Sequence, residues 1–404
     1  MPHRTVSACA LVLSLGSVFD VRAQDNPVQE PDIQPQYVHP LFAVNEKGHN
    51  DSSPSWAAGG LLAFERSEES RREIVIARTD GSIMKNVYHQ TDEDDLGLGA
   101  LLSSLGKSVS YNSGISWAST SDQFVFMSNA GEGNYDLYLG TMSDKALQRL
   151  TKDPQKDGQP SWSPTSGTVV FVSGRSGGAQ LFLMDVASRK TTRISKGEKS
   201  YLYPRWSPDG RQIAAIYGAN ENHDIVVLDG VQAMPAAASA VASVPATISA
   251  AANNVVERLL TTWQHDDLSP SWSPDGKRLA FYSNYNLEGD PKIWSLVVIA
   301  ADGSTPTQGE QLIAQVVAYN VIPDISSGPA WFPDSKRIAY VRNDKQDYSP
   351  IYVIDVDTRK SARLETGTSI NHDLAVSSDG ILAFRAQVDQ WDQIFLVKLS
   401  GTGE

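Results

Sequence analysis

Cysteine is nearly missing from this chain: of 404 residues only Cys9 is one. It falls inside an N-terminal stretch that reads as a secretory signal. Arg4 gives a positive start, Ala8 to Phe19 is mostly apolar, and Val21-Arg22-Ala23 fits a small-residue cleavage site before Gln24. With residues 1–23 removed, the mature chain has no cysteine, which excludes disulfides, thiolate metal sites and cysteine nucleophiles. Val6 to Cys9 loosely fits a lipid-attachment site, but the apolar stretch comes after the cysteine instead of preceding it, which argues against lipidation. No later run is apolar enough to span a membrane. Basic residues are also outnumbered, 34 Lys and Arg against 47 Asp and Glu, so the net charge of −13 disfavours nucleic-acid binding and suits cations or basic partners. Helical periodicity is too short for a separate α/β domain. There is no H-E-x-x-H and no dinucleotide fingerprint. These readings place the chain in the periplasm or outside the cell.

What the chain does have is a repeat. The stretch Ser269 to Asp302, SPSWSPDGKRLAFYSNYNLEGDPKIWSLVVIAAD, reads as three strands. Ser-Pro-Asp-Gly turns the chain after the first, with Pro274 presetting φ and Gly276 taking the positive φ that closes a hairpin. The same pattern begins at Pro54, Ile115, Pro160, Pro204 and Pro329, and a worn copy with Val376 in place of Trp begins at Leu374. A fourth segment of the type Arg-Leu-Thr lies before most copies, as at 148–151, 192–195, 257–261 and 362–366. Seven such units predict an all-β fold, a β-propeller of four-stranded blades spanning 37–400, with seven blades favoured over six or eight. Residues 24–36 read as a flexible tether. Tyr37 to Val44 reads as an orphan strand that completes the last sheet and closes the ring, removing exposed edges. A monomer is expected. The Trp and SPDG positions are scaffold, because a blade cannot cover both of its own faces and its neighbours must do so.

Three insertions break the period: 90–111, with the acidic run Asp92 to Asp95; the Ala-rich 231–254; and 302–327, expected to hold a longer outer strand and loop. Propeller connectivity puts the first on the face that carries the inner-strand starts, here called the top, and the Ala-rich one on the bottom.

Counting five residues back from each Trp, or from Val376, gives Asp51, Asn112, Asp157, Tyr201, Asp267, Ser326 and Asn371, with Asp266, Asp324 and Asp373 beside them. Carboxylates and amides around a channel mouth can coordinate a divalent cation such as Ca²⁺, or meet a basic partner segment. They can equally cap turns. His49, His223, His265 and His372 all lie on expected top loops within two residues of an Asp, where they are candidates for a metal site or an acid–base pair or are simply solvated. Tyr201, Tyr203, Tyr285, Tyr348 and Trp391 crowd the same face as candidate anchors.

The units LTKDPQKDGQPSWSPTSGTVVFVSGRSGGAQLFLMD (150–185) and SPSWSPDGKRLAFYS resemble the WD40-like (PD40) repeats of the TolB family. The resemblance covers about residues 37–400. It implies a periplasmic, non-enzymatic scaffold whose channel mouth receives a protein partner, sometimes with a bound cation. The N-terminal α/β domain of TolB has no counterpart here. An alternative is a glycan-binding or lyase-like propeller: His372 ahead of Ser-Ser-Asp-Gly is similar to a metal-ligating position of oligogalacturonate lyases.

Overall fold

The computed structural model describes residues 34–41, 48–68, 71–87, 111–120, 122–130, 134–219, 222–231, 254–262, 265–285, 290–305, 312, 315–345 and 347–399. The expected signal 1–23, nearly all of the tether and the insertion 90–111, and most of the Ala-rich insertion lie outside the described residues.

Seven antiparallel four-stranded sheets make a seven-bladed propeller. Blades 1 to 6 are continuous in sequence, over residues 50–87, 112–149, 157–193, 200–259, 267–321 and 330–363. Blade 7 takes its three inner strands from 371–399 and its outer strand from Pro35–Pro40, which pairs with Trp391–Leu399. The ring is therefore closed by the N-terminal strand. That strand begins at Pro35, so it takes over the last two residues assigned to the tether, and Leu41 extends it by donating its N–H to the Ile394 carbonyl. The insertion 302–327 does supply a long outer strand, Val316–Val321.

Seven hydrophobic clusters correspond to the seven blade junctions, including one between blade 7 and blade 1 built on Leu62, Phe64, Ile394 and Leu396. Neither face of a blade can be solvated, so each strand of the middle pair is apolar at nearly every position: Thr168–Ser173 is buried throughout.

The repeated motifs each have a bonding role. Trp56, Trp206, Trp272 and Trp331 donate their indole N–H to a main-chain carbonyl of the preceding blade, at Ala375, Ser161, Arg205 and Ser271, over 3.0 to 3.2 Å. Each of these carbonyls belongs to the residue just before the preceding blade's own Trp or Val376. Trp162 instead bonds Ser166 in its own turn, and the buried indole N–H of Trp117 has no partner among the described residues. In Ser-Pro-Asp-Gly the serine hydroxyl accepts N–H groups across the turn while donating to the aspartate, as at Ser207–Asp209 and Ser273–Asp275. Gly276 sits at φ +71°, as the turn requires.

Arg-Leu-Thr is the fourth strand's lock. Leu150, Ile194, Leu260 and Leu364 are buried. The hydroxyls of Thr151, Ser195 and Thr261 accept the N–H of Leu137, Leu181 and Ile225 on the third strand. Arg149 and Arg193 reach Asp136 and Gln180 at the start of that strand.

Candidate functional site

Every inner strand runs from the top face inward, and six of the seven carry the expected residue five before the Trp at or next to their first position. These residues do converge, but they do not face the channel. Asp51, Asn112, Asp157, Tyr201, Asp267 and Asn371 are at most 1% exposed. Pleating turns their side chains into the blade junctions, where each needs a partner. Asp51 accepts two hydrogen bonds from Arg66, at 2.8 and 3.0 Å. Asp157 accepts one from Arg175 at 2.7 Å, although burial still raises its carboxyl above the usual range. Asn112 donates to the Val87 carbonyl and Asn371 to that of Ser349. Tyr201 donates to Glu257 and accepts from the Gly197 N–H. The expected acidic ring is thus a set of buried bonding positions, within the blade for Asp51, Asp157 and Tyr201 and to the preceding blade for Asn112 and Asn371. Tyr201 is too deep to anchor a partner. Trp391, the first residue of the last strand, is half-buried.

A second repeated feature is the position three before the Trp. Ser53, Gln159, Tyr203, Ser269 and Asp373 adopt φ of +50 to +58°, and the two remaining blades place Gly114 and Gly328 there at +65 and +75°. In each blade whose inner strand is long enough, the pairing slips by one residue at this point. It is a β-bulge, repeated around the ring, which bends the inner strand and re-aims side chains. Several bulges are tied to the preceding blade: the Ser53 N–H donates to Asp373, the Tyr203 N–H to Gln159 and the Gly114 N–H to Glu65. Non-glycine residues at positive φ cost energy and persist where surroundings over-determine them. Only the glycines were legible as such a signal in the sequence.

The position before the Trp is small in six blades, Ser55, Ser116, Ser161, Ser271, Ala330 and Ala375, and Arg205 in blade 4. Arg205 reaches across to blade 6 and donates to the Ser326 carbonyl. Ser269 Oγ donates to the neighbouring Ile325 carbonyl at 2.9 Å. Two hydrogen bonds from blades 4 and 5 therefore draw the segment 324–327 over the mouth, leaving Ile325 45% exposed. Asp324 Oδ1 caps this segment by accepting from Ser326 and Ser327, while its Oδ2 is buried without a partner among the described residues. Burial, and then the charge of Asp373, raises the Asp324 carboxyl; burial likewise raises Glu65. Asp373 itself pairs with Arg385 at 2.8 Å, and Arg385 also holds Asp392. The mouth is an acid–guanidinium network and not a bare negative ring.

The histidines sit at two junctions, 7/1 and 4/5, but against acids and aromatics. His223 Nδ1 lies 2.7 Å from Asp266, His49 Nε2 3.8 Å from Asp51, and the His265 ring 4.8 Å from that of Tyr285. Burial and the nearby Arg385 lower the His372 pKa. Among the described residues no three His, Cys, Asp or Glu side chains are grouped to hold a metal ion. A cleft of about 590 Å³, not anticipated from sequence, opens on the top face between blades 3 and 4.

This fold and face define a closed propeller with a networked channel mouth. A family model for the TolB β-propeller domain (PD40) matches residues 103–239. Over that stretch the chain is similar to the PD40 repeats of TolB-type propellers. Among solved structures it is similar to an oligogalacturonate lyase in complex with manganese, with 10% identity, 92% of this chain and 96% of that chain covered, and a TM-score of 0.60. It is also similar to a puromycin-hydrolyzing peptidase of Mycobacterium tuberculosis, with 13% identity, 93% and 55% coverage and a TM-score of 0.60. TolB from Acinetobacter baumannii matches at 15% identity over 80% of this chain and 67% of that chain, with a TM-score of 0.49. At such identities these likenesses show the fold alone. No curated protein matches the chain in sequence. Among the described residues no helix is long and apolar enough to cross a membrane.

Proposed function

We propose that this is a secreted or periplasmic, non-enzymatic propeller that binds a protein partner on its top face, centred on the channel mouth. The observation that carries this reading is the segment 324–327. It is held across the mouth by Arg205 and Ser269 and presents Ile325 to solvent. An apolar residue on a segment fixed by neighbouring blades loses little conformational entropy when a partner covers it. Glu65, Asp324 and Asp373 supply the polar surround, where a cation or a basic side chain of the partner is accommodated. The signal-like residues 1–23 and the TolB-type repeat support an envelope location.

The test is cross-linked capture by the tagged mature protein in the envelope of its source cell, beside Ile325→Asp. Ile325 is a surface residue, so the variant folds, and we expect the captured partner to be lost or at least about tenfold depleted. Equal capture by both proteins, or none by either, refutes the reading.

A second reading, a glycan-binding or lyase-like propeller, is favoured by the His223–Asp266 pair and by the fold shared with a manganese-bound oligogalacturonate lyase. Metal analysis of the purified protein, with loss of metal in His223→Ala, supports it; metal-free protein without glycan affinity ends it.

A further inference from the structure

The cleft between blades 3 and 4 differs in character from the acidic chain as a whole. Its floor is apolar: Val172 is buried, and Ala179 and Leu202 are half-buried. One wall is cut down to backbone by the loop Gly174-Arg175-Ser176-Gly177-Gly178. A side chain at Gly174 would press on the Gln155 side chain at 3.2 Å, and Gly177 sits at φ +86°, so this wall is kept low for steric and conformational reasons. The lining carries two cations, Lys156 and Arg175, and no carboxylate, in a chain whose net charge is −13.

The polar groups that remain unengaged there are mainly donors. Arg175 is held in place by Asp157 and Ser173, with Asp153 at 3.8 Å. Lys156 is exposed, its ammonium 4.8 Å from the centre of the Tyr135 ring, and no carboxylate pairs with it among the described residues. The ring fixes the ammonium without neutralising it. Gln159 is fixed by its bulge and by accepting the Tyr203 N–H through Oε1, and its Nε2 donor end has no hydrogen-bond partner among the described residues. A ligand that satisfies this cleft brings an apolar group for the floor and acceptor oxygens with negative charge for Lys156 and Gln159.

We propose that the cleft is a subsite for an acidic, apolar peptide segment of the protein partner: an apolar side chain on Val172 and Leu202, and a flanking Asp or Glu carboxylate on Lys156 and Gln159. This rests on the reading that the top face binds protein. An extended segment fits because the glycine wall admits main chain close to the blade, and because the cleft lies on the same face as the channel mouth.

The test uses two fluorescently labelled pentapeptides of alternating sequence, one of Glu and Leu, the other of Lys and Leu, titrated by anisotropy at low salt against the full mature chain. The acidic peptide binds and the basic one does not, and binding weakens as salt screens the charge. Lys156→Glu lowers affinity at least about tenfold, the scale of one charge-assisted hydrogen bond. Gly178→Ile, at a position without positive φ where an added Cβ would meet only the Gln180 side chain, at 3.9 Å, fills the cleft and has the same effect. Equal binding of both peptides, or of the acidic peptide to wild type and Lys156→Glu, overturns the proposal. Envelope capture that depends on Ile325 without any peptide binding overturns the subsite alone. Peptide binding without capture upholds the subsite and counts against the partner-binding reading.

Discussion

Blade 5 has an acid where its neighbours show what an acid needs. At the fifth position before the Trp, blades 1 and 3 pair their aspartates with Arg66 and Arg175, and blades 2 and 7 use the neutral Asn112 and Asn371. Asp267 has neither solution. It is 0% exposed, and both carboxylate oxygens lack a hydrogen bond of good geometry among the described residues. The hydroxyls of Ser283 and Thr261 face it and favour its charge; Asp224 and Asp266, the latter paired with His223, oppose it. Burial dominates and pushes its carboxyl up to about 7. Folding therefore favours the protonated form. The stability this group contributes is fully present below about pH 4, its unfolded range, and is lost as pH rises through about 7. Between pH 5 and pH 8 the loss is about 3 kcal/mol. Asp267→Asn installs the residue that two other blades already use and removes this titration. Urea unfolding at both pH values, for wild type and variant, isolates the effect, because other titrating groups are common to both chains. The variant gains about 3 kcal/mol on wild type between pH 5 and pH 8. An identical pH dependence in the two proteins would refute the assignment.

Trp272→Phe leaves the Arg205 carbonyl unpaired at a blade junction and costs about 1–3 kcal/mol more than Trp117→Phe, whose indole N–H is already without a partner among the described residues; urea midpoints of the two variants decide it. Deleting residues 1–40 removes the strand that closes blade 7, bares the Trp391–Leu399 edge and lowers the thermal midpoint with loss of monodispersity; a deletion variant as stable and monomeric as the parent counts against closure by that strand.

The architecture was legible because its signals are local and repeated. Trp with Ser-Pro-Asp-Gly and an alternating strand after it marks each blade, and YVHPLFAV stood where a closing strand was needed. The site was less legible because a count of five residues locates a position without its direction. The pleat sends that side chain into the junction, so Asp157 and Asp267 are buried in blade contacts and do not border the mouth. The bulge three residues before the Trp then reorients the rest of the inner strand. Glycine announces it in two blades, but Ser53, Gln159, Tyr203, Ser269 and Asp373 give no sequence sign of a positive φ. Arg205 could have been found: it is the one large residue in a column otherwise of Ser and Ala. The cleft could not, because it joins a loop of blade 3 to Leu202 of blade 4.

The most direct measurement is hydrogen exchange, read by mass spectrometry, on the cross-linked complex against the free chain. If the top face receives the partner, protection falls on 155–159, 174–179, 202–203 and 324–327, and the turns 207–210 and 273–276 on the opposite face exchange as before. Protection confined to those turns would contradict the account.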